Sequence, residues 1–319
     1  MRWNIIGLAL VIAVTLAMSG SASLSSEIFI FAIAALGFNV LYGMTGLLSF
    51  GQSVFFGGAA YLSAMLTATL PFSAPLVTLI GGAIGLILAV LFALLATRVR
   101  GIYLVMLTLV LQQVGYFLAL TFKDYTGGEN GLADVVRTDI TLFGHVLFDL
   151  QSPAAFMIYT ACVLIVVFVF IQRLSLAPLG SVLNALRLNE VRTEVLGYRT
   201  KYFMISAFAA SGFITGMAGS LYAMLMRFVP LNSVDFETAE KLVIMAIVGG
   251  VGTTLGPVVG AAIFLLAADL LAPIWPRWLM LMGALMIFVI VVLRGGWWTF
   301  WCSVYNSGSR TERRHCRCK

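Results

Sequence analysis

A small set of uncharged polar side chains interrupts the long apolar stretches of this sequence. These side chains are Asn39, Ser49, Gln52, Gln112 and Gln113. Amides and hydroxyls in such surroundings either offer hydrogen bonds to a polar solute or join neighbouring helices. The sequence therefore predicts either the lining of a polar pathway or a set of interhelical hydrogen bonds at these positions.

Glycines cluster in two apolar stretches, at residues 43–60 and 249–262. Each stretch has a Gly-x-x-Gly pair, a short polar gap and a later run of Gly and Ala, which indicates a weak internal repeat. Paired glycine-broken segments in the two halves of a transporter point to its substrate site, whereas close helix packing is the alternative interpretation. The candidate pathway glycines are Gly51, Gly249, Gly250 and Gly252.

The residue patterns of self-contained chemistry are missing from the sequence. It has no H-E-x-x-H, no G-x-S-x-G and no G-x-x-x-x-G-K-[ST] motif. The two histidines, His145 and His315, fall on opposite sides of the predicted membrane, so we predict no metal site. Only Asp269 is an acidic residue inside a predicted span, which argues against a proton relay. We therefore expect no enzymatic activity and no cofactor in this chain, and any energy must come from a partner.

The composition requires lipid as part of the solvent. Of the 319 residues, 61% are hydrophobic and 10% charged, whereas soluble domains are about 25% charged. This balance excludes a soluble enzyme, a nucleic-acid binder and a disordered chain. Since a bilayer core needs roughly 20 apolar residues per helix, we predict an all-α polytopic membrane protein in contact with lipid. It has about 8–10 transmembrane helices, some broken by glycine. The predicted spans are about 3–20, 28–47, 49–69, 74–97, 101–122, 153–172, 202–226, 242–253, 256–272 and 278–294.

Basic residues fix the predicted orientation. They concentrate at residues 98–100, 173–201 and 294–319, whereas most acidic residues fall in the alternate loops. By the positive-inside rule, both termini are predicted to be cytoplasmic. Residues 1–27 form either a first transmembrane helix or a cleaved, signal-like segment, and residues 295–319 form a basic cytoplasmic tail.

The predicted external loop, residues 123–152, contains a glycine-rich motif. Its candidate functional residues are Thr126, Gly127, Gly128 and Gly131. Glycine permits positive φ, so the free amides of this motif could meet a carboxylate or a docking protein. The alternative is an ordinary surface turn.

The predicted internal loop, residues 173–201, contains an amphipathic helix. Pro178 begins a pattern with apolar residues at helical spacing, and Gly197 is placed to end it. Arg187 and Glu190, three residues apart, are predicted to pair across one turn. Such a helix either lies flat on the membrane or docks into a groove of a cytoplasmic protein.

Several ordered motifs in this chain resemble one family, the permease subunits of branched-chain amino acid ABC importers of the LivM type. They span about residues 28–294, which we assign as the permease domain. The motifs are Leu41–Gln52 (LYGMTGLLSFGQ), Tyr103–Thr108 (YLVMLT), Thr126–Leu132 (TGGENGL), Ala185–Glu190 (ALRLNE), Glu194–Gly197 (EVLG) and Ile247–Pro257 (IVGGVGTTLGP).

The resemblance implies a heteromeric importer in the bacterial inner membrane. A second permease, two cytoplasmic ATPase subunits that bind ATP, and a periplasmic substrate-binding protein would be its partners. The internal helix would be the coupling helix that docks on an ATPase. The residues implied in this coupling are Arg187, Asn189, Glu190, Glu194 and Gly197. Importers of urea or short-chain amides use similar permeases, and a passive channel or self-contained carrier is the other alternative.

Overall fold

The computed structural model describes residues 20–69, 72–133, 137–142 and 145–273, and a few single positions outside these ranges. The predicted first span, the predicted last span at 278–294 and the tail at 295–319 lie almost entirely outside the described residues.

The described part of the chain is built from helices. The long helices are α1 (Ala22–Thr45), α2 (Gln52–Thr69), α3 (Ala74–Ala96), α4 (Ile102–Thr121), α6 (Pro153–Leu176), α9 (Thr200–Met226), α10 (Phe236–Gly249) and α11 (Gly256–Leu271). The short helices are α5 (Lys123–Thr126), α7 (Pro178–Leu188), α8 (Glu190–Val195) and the 3₁₀ turns Gly128–Asn130 and Leu231–Ser233. Of the described helices, α1, α3, α4, α6 and α9 are long and apolar enough to cross a membrane. This confirms the predicted all-α polytopic membrane fold.

Helix ends follow the local sequence. The hydroxyl of Ser21 accepts a hydrogen bond from Leu24 N at the start of α1, and Ser152 caps α6 in the same way. Gly46, at φ 76°, ends α1 in the left-handed conformation that glycine adopts without strain. The caps therefore confirm that turn residues divide the apolar stretches.

Helix α9 lies at the centre of the packing and contacts α1, α2 and α3. Its contact with α3 is made by glycine on both sides, since a Cβ at Gly85 would overlap the Gly212 carbonyl and one at Gly216 would overlap the Gly81 carbonyl. Small residues allow this close backbone approach where lipid gives no hydrophobic drive between helices. The core around it is apolar, with Phe29, Phe56, Phe168 and Phe208 among its largest buried side chains.

Two predicted elements differ from the structure, and one observed element was not predicted. The span predicted at 242–253 is wrong in its bounds, because α10 begins at Phe236 and ends at Gly249. The single helix predicted from Pro178 is wrong, because Asn189 has extended backbone (φ −164°) and its side chain caps a second helix. The external loop also contains a short hairpin, β1 (Ile140–Leu142) and β2 (His145–Phe148), paired antiparallel, which the sequence analysis did not predict.

Candidate functional site at the two broken segments

The first non-helical segment within the membrane part is residues 46–51, called the first break. Its backbone amides are bonded by hydroxyl groups: Phe50 N donates to Thr108 Oγ1 of α4 (3.3 Å), and Gly51 N donates to Ser49 Oγ (3.2 Å). Ser49 and Thr108 are fully buried. Because irregular backbone is tolerated at membrane depth only when buried in protein or lining a cavity, these hydroxyls are what make the break possible.

Gln52, the first residue of α2, is fully buried and fully bonded. Its Nε2 donates to Ser211 Oγ (2.7 Å), and its Oε1 accepts from Thr215 Oγ1 (2.8 Å). Ser211 in turn donates to the Gly37 carbonyl of α1 (2.7 Å). Since Ser211 and Thr215 lie near the middle of α9, α2 begins halfway through the bundle. The amide of Gln52 joins three helices at that depth.

The second non-helical segment is residues 250–255, called the second break. Asn39 of α1 holds it by both ends of its amide: Oδ1 accepts from Gly252 N (3.0 Å), and Nδ2 donates to the Thr253 carbonyl (2.9 Å). Gly250 and Gly252 have φ of 115° and 86°, conformations that favour glycine. Gly249 ends α10, and a Cβ there would overlap the Gly256 carbonyl.

The two breaks approach each other at the C-terminal end of α1. A Cβ at Gly43 would lie 3.0 Å from Gly252 N. The guanidinium of Arg187, on α7, donates from Nη1 to the Gly43 carbonyl (2.7 Å). Arg187 therefore does not make the predicted pair with Glu190, because its charge is directed to the C-terminal turn of α1, where a cation is favourable.

Glu190 and Glu194 both face Arg100, which precedes α4. Arg100 Nη2 lies 3.0 Å from Glu190 Oε1 and 3.9 Å from Glu194 Oε2. Asn189 Oδ1 accepts from Arg192 N (3.0 Å) and so begins α8. Gly197, at φ 91°, follows the end of α8, as its predicted role as a stop requires. The internal loop is thus attached to both α1 and α4.

Gln112 and Gln113 are neighbours on α4 but lie in different environments. Gln112 is fully buried, and its Nε2 donates to the Val234 carbonyl (3.0 Å), whereas its Oε1 has no partner. Gln113 is exposed, in a shallow groove on the outside of α4. The groove is lined by Val110, Gln113, Val114, Phe117, Leu118 and Thr121.

The chain between α9 and α10 enters the helix bundle from the side of the predicted external loop, a feature that was not predicted from the sequence. Val234 reaches Gln112, near the midpoint of α4. On the other side, a Cβ at Gly57 of α2 would lie 2.7 Å from the carbonyl of Ser233. Asn232 and Asp235, polar residues just before an apolar helix, were the available sequence signal. This re-entrant linker, residues 227–235, occupies the outer half of the space between α2 and α4.

The external glycine motif is fixed to that linker. Gly127, Gly128 and Gly131 have φ between 62° and 76°. The next residue, Leu132, makes two backbone hydrogen bonds with Val229, of 2.9 and 3.0 Å. The hydroxyl of Thr126 donates to the Ala119 carbonyl (2.6 Å). The motif is therefore an ordered loop that contacts the re-entrant linker.

Arg137, also missed from the sequence, holds the external loop on α9. It is 8% exposed, and its Nε and Nη2 donate to the carbonyls of Met224 and Leu225 (3.1 Å each). Its guanidinium lies 4.4 Å from the ring centre of Phe156, a cation–π contact. Burial, and then repulsion from Arg227, lowers the pKa of Arg137. The end of α9 is thus capped by a buried cation.

These features define a polytopic membrane permease whose broken helices meet between an ordered external loop and an attached internal loop. A family model described as "Branched-chain amino acid transport system / permease component" matches residues 5–290. The chain belongs to this family of branched-chain amino acid transport permeases.

Curated relatives agree with this assignment. The chain is 28% identical over 296 residues to the high-affinity branched-chain amino acid transport system permease protein LivM of Salmonella typhimurium, covering 85% of this chain and 68% of the relative. The Escherichia coli protein of the same name is 27% identical over the same shares of both chains. A probable LivM permease of Methanocaldococcus jannaschii is 24% identical, covering 67% of this chain and 65% of that one. No solved structure matches the chain.

Proposed function

We propose that this chain is the permease subunit of an ATP-binding-cassette importer for branched-chain amino acids. Separate ATPase subunits supply the energy, a periplasmic binding protein delivers the substrate, and a second permease completes the pathway. The protein lies in the bacterial inner membrane with both termini in the cytoplasm. The names of the relatives and the positive-inside pattern support this proposal.

The observation that carries the proposal is the apolar face of the internal loop. Leu188, Val191, Val195 and Leu196 are 62–87% exposed, although they lie among charged residues beside the predicted cytoplasmic ends of the helices. Arg187 and Arg100 attach this loop to α1 and α4. Exposed apolar residues on an anchored helix pair are typical of a protein-docking surface.

The second permease is supported by the outer face of α4. Val110, Val114 and Phe117 are 49–65% exposed there, and polar Gln113 lies among them. A polar amide is costly against lipid, so we propose that this face meets the partner permease and that Gln113 borders the pathway. Behind this face, Asn39 and Gln52 hold the two breaks, and Gln112 holds the re-entrant linker.

The docking surface is tested by exchanging its apolar residues. The double variant L188S/V195S should insert into the membrane normally but lose co-purifying ATPases in a gentle-detergent pull-down and lose ATP-dependent uptake. The matched control is I165S/V166S on the exposed face of α6, which should retain the ATPases. Equal ATPase recovery from both variants would contradict the docking role and favour a loop that lies flat on the membrane.

Substrate class is tested by competition. Uptake of leucine by the assembled importer should be reduced by isoleucine and valine and remain unchanged by urea or acetamide. The alternative, an importer of urea or short-chain amides, predicts the opposite pattern of competition. Flux through the chain in proteoliposomes without ATPases would instead indicate a channel or self-contained carrier.

A further inference from the structure

Arg187 contacts both broken segments from a third element. Its Nη1 donates to the Gly43 carbonyl at 2.7 Å. Its Cγ lies 3.3 Å from the position that a Cβ would take at Gly46, and its Nη1 lies 2.8 Å from that position at Gly252. The side chain of Arg187 is exposed, and it lies against glycines of both the first and the second break.

The glycines leave room for this side chain, and the guanidinium is suited to the position. A Cβ at Gly252 would lie 2.8 Å from Nη1 of Arg187 and would push the guanidinium aside. Arginine offers several fixed donors and stays charged, and the carbonyls at a helix C-terminus attract a cation. Among the described residues, no carboxylate forms an ion pair with Arg187, so its charge is directed to the backbone of α1.

Next to the contact between Arg187 and Gly43, the apolar side chains of the first break pack against α10. Leu48 and Phe50 pack on the cluster formed by Phe38, Val243 and Ala246. The rings of Phe50 and Phe236 lie 5.3 Å apart. Leu48 is partly buried there, so movement of the first break away from α10 would expose it further.

We propose that Arg187 is a positioning residue that joins the internal loop to both breaks, holds the two breaks together, and releases them when α7 moves. This inference rests on the proposed function, because movement of α7 is supplied there by the docked ATPases. Arg187 acts within this chain and is not a docking contact. Glu190 and Glu194, which bind Arg100, attach the same loop to α4.

The test uses the accessibility of Leu48 in the assembled importer. L48C is introduced after replacement of the native cysteines, Cys162, Cys302, Cys316 and Cys318, and inside-out vesicles are labelled with a membrane-impermeant maleimide without ATP. R187A should raise the labelling rate of L48C roughly tenfold, the change expected for loss of one charge-assisted hydrogen bond. R187K, which keeps the positive charge but lacks the several fixed donors of the guanidinium, should give an intermediate labelling rate. R192A, an exposed arginine on α8, is the matched control and should leave the rate unchanged.

A second readout separates positioning from docking. R187A should retain its co-purifying ATPases and their ATP hydrolysis, while the amount of substrate transported per ATP falls several-fold. Equal labelling of L48C in R187A and R192A would overturn the proposal, and so would loss of the ATPases from R187A. If R187A does not insert into the membrane, the labelling rate of L48C in R187K tests the proposal in the same way, with a smaller expected increase. Absence of ATPases from the parent chain would instead contradict the proposed function, and the labelling rates of the permease alone would still decide whether Arg187 holds the breaks together.

Discussion

Among the described residues, the first and second breaks interrupt the helices of the membrane part, and they are held by different means. At the first break, residues 46–51, buried hydroxyls of Ser49 and Thr108 accept the free amides. Gln52 then ties the next helix to α9 at mid-depth. The first break is therefore an arrangement of side-chain hydrogen bonds, and it depends on burial.

The second break, residues 250–255, combines side-chain hydrogen bonds with close backbone contact of the helices on either side. The hydroxyl of Thr253 donates to the Gly250 carbonyl (2.9 Å) and accepts from Gly256 N (3.1 Å). Helices α10 and α11 approach so closely that a Cβ at Gly260 would overlap the Met245 carbonyl. Asn39 of α1 bonds this backbone through its side-chain amide, and Gly252 is exposed. The comparison teaches that similar glycine patterns, which suggest a repeat, support one break by buried side-chain hydrogen bonds and the other by such bonds combined with close backbone contact.

The largest expected effect is on the close backbone contact at the second break. G260A places a methyl group against backbone atoms of Met245 and Gly249, which cannot move aside as a side chain can, so the free energy of unfolding should fall by about 1–3 kcal/mol or more. The matched control is G58A after the first break, whose new Cβ meets only the flexible end of Leu88. Thermal unfolding in detergent measures both variants, and equal midpoints would show that close backbone contact does not stabilise the second break.

A somewhat smaller effect is expected at the first break. Q52L leaves the hydroxyl of Thr215 without its acceptor inside the bundle, which costs about 1–3 kcal/mol of unfolding free energy. Q113L on the exposed face of α4 should leave stability unchanged while it alters uptake. A stable Q52L protein, or a Q113L protein with lowered stability, would reverse the assignment of the two glutamines.

Asn39 and Thr108 allow the two breaks to be loosened one at a time. N39A removes both amide bonds to the second break, and T108V removes the acceptor of Phe50 N. Each lost hydrogen bond should lower the free energy of unfolding by about 0.5–1.5 kcal/mol. Hydrogen exchange should accelerate at residues 250–255 in N39A and at residues 46–51 in T108V. Exchange that accelerates equally at both breaks in either variant would mean that they open as one unit.

The smallest effect is expected from the ion pair of the internal loop. Arg100 and Glu194 are more than half exposed and Glu190 less so, so R100Q should change stability by about 0–1 kcal/mol and less at high salt. Its effect on uptake should exceed that of R98Q, the neighbouring arginine. A double-mutant cycle with E190Q measures the coupling between Arg100 and Glu190. Additive losses of stability would show that Arg100 does not attach α8.

Local patterns in the sequence were sufficient for the fold class, the glycine breaks and the stop at Gly197. They did not reveal that Arg187 bonds α1 instead of Glu190, because that contact joins residues 144 positions apart. The re-entrant linker was missed for a related reason: its polar residues resemble an ordinary external loop until Gln112 and Gly57 are seen to enclose it. Tertiary partners, and not local propensity, decide such features.

The most direct test of the account is reconstitution of uptake with defined subunits. Proteoliposomes that contain this chain, its partner permease and the ATPases, supplied with the binding protein and ATP, should accumulate leucine. Omission of ATP or of the ATPases should abolish accumulation, and L188S/V195S should reduce it to background. Leucine flux through this chain alone, without ATPases or ATP, would contradict the central claim that the permease depends on an external source of energy.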